Sequence, residues 1–362
     1  MKTTESSIFS FNNTLITTLL LSIFSAVLLL ALSGLILATI GLASATSILT
    51  KSGFSWSSVS ESVQTGLQTT PTVDSAGHKN FLVLGLDVLD TRPGSKPLTD
   101  TILIVSLDTN TNTVSMISLP RDLWIEDLDV RINALFSSAL EKNLEPAGFV
   151  EAEIENLTDI EVHHTVVVTL DTVAELVDSL GGVQVHVDQS FTDSQFPKSN
   201  VDVTIVSDPN ELYETVIFEQ GTQTLDGTRA LQFARSRHAS GSEGTDLARS
   251  ARQQKLLTAI AEKLLSADTL QQPEILVQLG QVYKHQFEHE IPLSELTALV
   301  VQSVTVHKPI TFSRGILSIY PDSLSGVLVH PPEYAYNGQW VYIVRDIPLF
   351  KNEVRAILGY SP

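Results

Sequence analysis

The chain of 362 residues begins with a long apolar stretch and continues with apolar segments at strand-like and helix-like spacing. No charged residue occurs between Thr14 and Thr50, and this run exceeds the roughly 20 residues that cross a bilayer as a helix. Ala43-Ser-Ala45 is similar to a signal-peptidase site, but the run is also longer than the roughly 7–15 apolar residues of a secretory signal. We therefore predict one retained transmembrane helix over residues 14–46.

The flanks of this run predict an orientation. The head over residues 1–13 is short, so it is expected in the cytoplasm, with the rest of the chain outside the cell membrane. Residues 47–78 are rich in Ser, Thr and Gln, which is typical of a linker, with a short helical part near residues 59–67. The pattern thus predicts a single-pass membrane protein with an external domain.

From Asn80 onwards, strands and helices alternate without internal repeats. This alternation predicts an α/β domain of three layers, with helices on both faces of a central mixed sheet. We assign residues 79–308 to the domain and residues 309–362 to a C-terminal extension that packs on it or continues it. The predicted strands are 81–86, 101–107, 113–119, 164–170, 183–187 and 340–344, and the predicted helices are 132–142, 147–157, 172–180, 246–265 and 348–358.

Composition narrows the function. The formal net charge is -19, which argues against nucleic acid as a partner, because DNA binding uses a broad basic surface. The chain has no cysteine, which excludes disulfides, thiolate zinc sites and a cysteine nucleophile. The nine histidines show no spacing typical of metal ligands.

Positive charge is concentrated in one short region. Five of the eleven arginines lie between Arg229 and Arg252. In an extended segment, Arg235 and Arg237 would point to the same side. On the helix that follows, Asp246, Arg249, Arg252 and Gln253 form one polar stripe. Guanidinium groups suit phosphate oxygens, so this cluster predicts a phosphate or pyrophosphate site; the alternative is a solvated helix face with an Asp246–Arg249 pair.

Three further charged residues lie at the ends of predicted strands. Asp87 follows the first strand and Asp100 opens the second, where the two carboxylates can converge on a magnesium ion or act only as turn and cap residues. Arg121 follows the third strand directly, and it is expected either to project into a cleft or to pair with Asp122.

Together these motifs resemble the LytR-CpsA-Psr (LCP) family of bacterial cell-envelope enzymes, over roughly residues 80–265. The similar pieces are Gly85-Leu-Asp87, Asp100-Thr101, Ser118-Leu-Pro-Arg121-Asp122, Arg131-Ile-Asn133, Leu176-Val-Asp-Ser-Leu-Gly-Gly-Val-Gln-Val185, Leu225-Asp-Gly-x-x-Ala-Leu-x-Phe-Ala-Arg-x-Arg237 and Asp246-x-x-Arg-x-x-Arg-Gln-Gln254.

The resemblance implies a phosphotransferase. Such an enzyme moves a glycan with its proximal phosphate from a polyprenyl-pyrophosphate carrier to a hydroxyl of the cell wall, often of peptidoglycan. It further implies Mg²⁺, or Mn²⁺ in its place, at Asp87 and Asp100. The candidate catalytic residues are Arg121, Asp122, Arg235 and Arg237. The residues implied to hold the pyrophosphate are Arg92, Arg121, Arg235, Arg237, Arg249, Arg252 and Gln253, with Asp246 orienting a guanidinium group.

Two departures from the family pattern concern a cation beside the second aspartate and the mouth of the lipid groove. Leu98-Thr-Asp100 lacks the basic residue often found before the second aspartate, and no Gly-Gly occurs between Asn133 and Asn143. An apolar groove for the polyprenyl tail is expected along residues 165–170 and 173–180, which are equally well explained as core. The alternative functions are a lipid-pyrophosphate hydrolase, with water as acceptor, and a non-catalytic protein of the envelope that binds lipid or glycan.

Overall fold

A five-stranded mixed sheet forms the centre of the computed structural model, which describes residues 42–87, 96–198, 201, 206, 208–239, 241–264, 266–287 and 291–361. The strand order is β11-β3-β2-β1-β6, with β6 parallel to β1, β11 parallel to β3 and the other neighbours antiparallel. These strands are β1 His78–Asp87, β2 Leu98–Asp108, β3 Thr113–Ser118, β6 His164–Thr169 and β11 Thr311–Ile316.

The remaining elements surround this sheet. The other strands are β4 Trp124–Ile125, β5 Val130–Arg131, β7 Val183–Val187, β8 Phe191–Pro197, β9 Tyr213–Phe218, β10 Gly221–Leu225, β12 Ile319–Tyr320, β13 Leu328–Val329 and β14 Ile343–Val344. The helices are α1 Leu42–Lys51, α2 Trp56–Gln68, α3 Leu135–Glu141, α4 Pro146–Thr158, α5 Leu170–Ser179, α6 Pro209–Leu212, α7 Gly227–Arg235, α8 Asp246–Leu264, α9 Ala267–Leu270, α10 Pro273–Gln286, α11 Leu293–Thr305 and α12 Ile347–Ile357.

Helices cover both faces of the sheet, which confirms the predicted three layers. On one face, Leu82, Leu84 and Ile104 are fully buried against helices α3, α4 and α12. On the other face, Phe81 and Leu103 contribute to a second core with helices α5, α7, α8, α10 and α11. Alternate residues of one strand point to opposite faces, so each apolar strand contributes to both cores.

The turn between β2 and β3 is formed by polar residues. Asp108 pairs with Thr113, and Asn112 adopts a left-handed conformation with φ 58°. Asn tolerates this region better than most residues. Gly181 and Gly182, at the end of α5, also have positive φ values of 70° and 91°, which explains why the helix stops there.

The predicted linker differs from the structure. Residues 56–68 form helix α2, which packs against α11 so closely that a Cβ on Gly66 would lie 2.3 Å from Cβ of Thr297. The predicted helical part near residues 59–67 is thus a full helix docked on the domain. The predicted head and nearly all of the predicted transmembrane helix over residues 14–46 lie outside the described residues. Within the described residues, no helix combines the length and apolar character that crossing a membrane requires.

The C-terminal extension continues the domain. Its residues 311–316 form the edge strand β11 of the central sheet. Phe350 and Val354 of α12 are fully buried in the core on the same face of the sheet as α3 and α4. Tyr342 donates a backbone hydrogen bond to the Asp122 carbonyl (2.9 Å) and accepts one from the Trp124 amide (2.8 Å). The extension is therefore attached directly beside the Pro120-Arg121-Asp122 segment.

Candidate active site

A cavity of about 390 Å³ lies between the central sheet and helices α5, α7 and α8. Its apolar walls are formed by Phe81, Val83, Leu103, Val105, Val166, Val168, Leu170, Val173, Leu176, Leu231, Leu256, Leu257 and Ile260. Charged and polar residues line it near the end of β1, where Leu98 pairs with Asp87. Residues of both predicted groove segments, 165–170 and 173–180, line this cavity, and its use by a polyprenyl tail stays a prediction.

A β-bulge turns Asp100 towards this cavity. Thr101 pairs with Gly85 and Thr99 pairs with Leu86, so Asp100 is the extra residue of β2. Because a bulge shifts the alternation of side chains by one position, both Asp100 and Thr101 line the cavity. Thr99 points the other way, and its hydroxyl donates to the Asn133 carbonyl. The local backbone thus puts a half-buried carboxylate at the charged end of an apolar cavity.

Arg121 is surrounded by carboxylates. Its Nη1 donates to Oδ1 of Asp100 (2.9 Å), and its Nε lies 3.4 Å from Asp122 and 3.9 Å from Asp246. Burial alone would lower the pKa of Arg121, but Asp100, Asp122 and Asp246 outweigh it and raise that pKa. Arg121 therefore remains a cation at the cavity wall.

Arg249 is buried and incompletely paired. Its side chain is 4% exposed, and its Nη2 lies 2.8 Å from Oδ1 of Asp246. Among the described residues, its buried Nε has no hydrogen-bond partner. Burial lowers the pKa of Arg249, and Arg121 and Arg237 lower it further, against the opposing effect of Asp246 and Asp100. Because an arginine in a protein stays charged, Arg249 is a buried cation with an unused hydrogen-bond donor.

Arg235 and Arg237 complete the charged end. Both line the cavity, but Arg235 is the last residue of helix α7 and only Arg237 lies beyond it, so the predicted extended segment holding both is wrong. The guanidinium carbon of Arg235 lies 5.5 Å from the ring centre of Phe196. Arg237 is 39% exposed, and its Nη1 lies 3.8 Å from Oδ2 of Asp100. Four arginines thus converge from three elements.

Arg252, predicted to hold pyrophosphate, has a different position. Its Nε donates to the Phe233 carbonyl, its Nη1 to Glu243 and its Nη2 to the Ser236 carbonyl. In a helix of 3.6 residues per turn, Arg252 is rotated by about 60° from Arg249, which turns it away from the stripe. Gln253 is rotated the other way and lines the cavity. Arg252 therefore fixes the end of helix α7 and the segment after it that carries Arg237, and its predicted contact with pyrophosphate stays a prediction.

Asp122 is also a supporting residue. It is 6% exposed, and its Oδ1 accepts a hydrogen bond from Nη1 of Arg131 (2.9 Å) while its Oδ2 faces Arg121. Asp246 stands between Arg121 and Arg249, as an orienting carboxylate is expected to. The predicted Arg121–Asp122 pair and the predicted projection into a cleft thus both occur.

The predicted roles of two residues are not tested by this geometry. Arg92 lies outside the described residues. Asp87 is the last residue of β1, but its side chain is not described, so its pairing with Asp100 around a magnesium ion stays a prediction. Within the described part of the chain, no cluster of three or more His, Asp or Glu side chains has the arrangement of a metal site.

The structure adds two residues that sequence reasoning missed. Asp193 is 1% exposed, and its Oδ2 accepts hydrogen bonds from the backbone amides of Arg237 (2.9 Å) and His238 (3.2 Å). Asp193 and His238 both line the cavity. Asp193 comes from strand β8, about forty residues earlier in the chain, so no local pattern connects it with the arginines.

The LytR_cpsA_psr family model matches residues 47–311, which is more than half of the chain and includes all the predicted site residues. The chain belongs to this family. Its membership confirms the resemblance found in the motifs.

Two curated relatives are polyisoprenyl-teichoic acid–peptidoglycan teichoic acid transferases. TagU of Oceanobacillus iheyensis is 25% identical over 272 residues, covering 74% of this chain and 71% of the relative. TagV of Bacillus subtilis is 27% identical over 197 residues, covering 53% of this chain and 45% of the relative, so the match spans less than half of TagV. Both names agree with the prediction of an LCP-family enzyme.

A solved structure shows the same fold. A protein of Streptococcus agalactiae superposes with a TM-score of 0.55 at 17% sequence identity, covering 78% of this chain and 89% of that protein. At this identity, the likeness concerns the fold alone.

Proposed function

We propose that this protein transfers a glycan, with its proximal phosphate, from a polyprenyl-pyrophosphate carrier to a hydroxyl of peptidoglycan. One observation carries the proposal: a single cavity has an apolar interior and a charged end with Arg121, Arg235, Arg237 and Arg249. A polyprenyl pyrophosphate has the same division, an apolar tail joined to an anion. The names of TagU and TagV support the same classes of carrier and acceptor.

The arrangement of charges favours a ligand with two phosphates. Among the described residues, the Nε groups of Arg121 and Arg249 lack hydrogen-bond partners although both atoms are buried. Leaving such groups unsatisfied costs about 1–3 kcal/mol each, and more for charged groups. Phosphate oxygens paired with these guanidinium groups at the cavity wall would offset the cost of burying positive charge there. Gln253 adds a neutral amide at the same wall.

The reaction proceeds by substitution at phosphorus. The acceptor hydroxyl oxygen forms a bond to the sugar-linked phosphorus, the bond from this phosphorus to the bridging oxygen breaks, and polyprenyl phosphate leaves. The hydroxyl proton passes to a carboxylate. The arginines stabilise the charge on the phosphoryl and leaving oxygens, and this electrostatic contribution is the main one in phosphoryl transfer.

The sequence leaves two candidates for the proton acceptor, Asp87 and Asp122. Asp122 is held by Arg131 and Arg121 and does not line the cavity, which suits a positioning role. We therefore assign the proton to Asp87, which ends β1 beside the bulge at Asp100.

The donor set at the same end suits Mg²⁺, or Mn²⁺ in its place. Carboxylate oxygens are the protein ligands that these ions prefer, and the bulge turns the Asp100 carboxylate into the cavity. Asp100 and Asp87 would hold the ion. When bound, the ion would neutralise part of the pyrophosphate charge.

The proposal includes a location, because polyprenyl carriers lie in the membrane. The uncharged run from Thr14 to Thr50 would anchor the chain as a single-pass protein, with the N-terminus in the cytoplasm and the domain outside.

The test uses the full-length protein in detergent with a polyprenyl-pyrophosphate glycan labelled in the sugar, peptidoglycan and Mg²⁺. We expect label in the peptidoglycan, and Arg235→Ala is expected to lower the rate by about 10²–10³-fold. The matched control is Arg229→Ala, since Arg229 lies on the same helix but bonds to Gln232 and to the Ile217 carbonyl. Label released only as glycan phosphate would instead identify a hydrolase. Binding of the lipid without any reaction would identify a carrier.

A further inference from the structure

Outside the cavity, aromatic rings from β4 and the C-terminal extension form two contacting groups, which a backbone hydrogen bond from Trp124 to Tyr342 holds side by side. We call His330, Trp340, Tyr342, Trp124 and Tyr336 the aromatic surface. Trp340 stacks on His330 with ring centres 4.7 Å apart and meets Tyr342 edge-on at 4.6 Å, and Trp124 meets Tyr336 edge-on at 5.3 Å. Trp124 and Tyr342 are buried, whereas Trp340 is 40% exposed.

The aromatic surface adjoins the proposed reaction centre. The Tyr342 amide donates to the carbonyl of Asp122, the residue that follows Arg121. Burial, Asp246 and Asp122 raise the pKa of the Tyr342 phenol to about 12, which is consistent with its position beside the carboxylates that hold Arg121 and Arg249. Asp122 and Asp246 both contact Arg121, which lines the cavity, so the aromatic surface lies beside the charged end of the cavity.

Trp340 is held as a fixed platform. A backbone carbonyl can only accept a hydrogen bond, so Nδ1 of His330 donates to the Val341 carbonyl (2.9 Å), which orients the imidazole behind the indole. Tyr342 supports the indole from another side. A large exposed apolar ring is unfavourable in water, while a ring already held in place binds a ligand without a further ordering cost.

We propose that the aromatic surface binds pyranose rings of a glycan strand beside the phosphate that is transferred. This inference rests on the proposed function. A pyranose has an apolar face of C–H groups, which packs on an aromatic face because the π electrons there carry partial negative charge. Its hydroxyl and amide groups find partners in Tyr336 and Glu126, which lie 3.2 Å apart.

Negative charge near the aromatic surface favours the acceptor strand over the phosphate-rich donor polymer. Glu126 bonds to Tyr336, and Asp322 contributes negative potential at Tyr342, so the surface repels a phosphate-rich polymer. The sugar backbone of peptidoglycan carries no phosphate and is compatible with it. Trp340 also lies beyond residue 311, where the family match ends, so the platform belongs to the extension of this chain. The sugar of the donor lipid has the same ring chemistry and is the other source to test.

Binding can be measured without turnover, because the chain has three tryptophans, Trp56, Trp124 and Trp340. In full-length Trp56→Phe protein, Trp124 and Trp340 of the aromatic surface are the remaining tryptophan fluorophores. We expect their emission to change on titration with a chitin tetrasaccharide and with muramidase-solubilised peptidoglycan strands. Polyprenyl pyrophosphate without sugar is expected to have no effect. An emission unchanged by either sugar would overturn the proposal.

Kinetics then identify the source of the sugar. Trp340→Ala is expected to raise KM for peptidoglycan about tenfold, with KM for the donor and kcat at saturating acceptor unchanged, and Trp340→Phe to restore most of the loss. Leu324→Ala, an exposed apolar change in the same extension, is the control. A raised KM for the donor alone would overturn the acceptor assignment. Sugar binding by a protein that transfers nothing would leave the glycan site in place and refute the transferase.

Discussion

Strand β1 has a cluster of buried charges at each of its ends, and the two clusters differ in how completely they are paired. Near its start, Lys79 has no exposed surface, and its Nζ donates to Glu295 (2.5 Å) and to Thr72 (2.8 Å). At its far end, Arg121 and Arg249 are also largely buried, but the Nε of each lacks a hydrogen-bond partner among the described residues.

The comparison shows that buried charge alone does not mark a site. A buried charge is costly unless it is paired, and the Lys79 cluster is closed by its own partners, so it serves the fold. The arginine cluster faces a cavity, and the buried Nε atoms of Arg121 and Arg249 lack hydrogen-bond partners among the described residues. Free donors together with an adjoining apolar cavity are what indicate a ligand.

The largest effect is expected at the Lys79 cluster. Lys79→Met leaves the half-buried Glu295 carboxylate without its lysine partner and should lower the free energy of unfolding by about 3–5 kcal/mol. Urea unfolding monitored by circular dichroism measures this loss. The double variant Lys79→Met/Glu295→Leu should recover most of it, because neither charge remains. A single variant as stable as the parent would show that the pair contributes nothing to the fold.

At the arginine cluster, we expect a loss of transfer activity. Arg249→Gln should lower the transfer rate by about 10²–10³-fold. It should cost less stability than Lys79→Met, because the Nε of Arg249 has no hydrogen-bond partner among the described residues and Asp246 keeps Arg121 as a neighbouring cation. The matched change on the same helix is Arg252→Gln, which should destabilise by about 2–4 kcal/mol, since it removes hydrogen bonds to three carbonyls and to Glu243. Equal effects of the two changes on rate and stability would contradict the distinction between the clusters.

Much of the fold follows from local patterns. The strands at β1, β2, β3, β6 and β7 and the helices at α4, α5, α8 and α12 were predicted within a few residues, because each buries an apolar face or run. Strand β11 was missed because most of its side chains are exposed or half-buried, so its sequence has no apolar alternation. Helix α2 was underestimated since only Val59 and Gly66 of it are buried.

The site was predictable in its charges but not in its geometry. Arg121, Arg235, Arg237, Arg249 and Gln253 do line one cavity, as the motifs implied. The bulge that turns Asp100 inward depends on the register between strands β1 and β2. The hydrogen bond from the Arg237 amide to Asp193 joins elements that are distant in the sequence. Such contacts leave no periodic signal in the sequence.

The smallest effect is the pH dependence of stability that comes from the Lys79 cluster. His164 and Lys79 face the Glu295 carboxylate and lower its pKa from 4.5 to about 2, although burial opposes this. A carboxyl group with a depressed pKa in the folded state contributes stability above its unfolded pKa, and this contribution is lost as the pH falls from about 4.5 to about 2. With allowance for solvent screening of a half-buried group, the contribution is about 2 kcal/mol.

Unfolding free energies measured in urea at steps between pH 6 and pH 2 would show this loss. Glu295→Gln should flatten the profile between pH 4.5 and pH 2 relative to the parent, because the group that takes up the proton is gone. Glu274→Gln is the control, since Glu274 is an exposed carboxylate in the first turn of α10. An unchanged slope in Glu295→Gln would mean that the Lys79 cluster tolerates protonation of its carboxylate. In that case pairing would no longer distinguish it from the arginine cluster, and the cavity alone would mark the site.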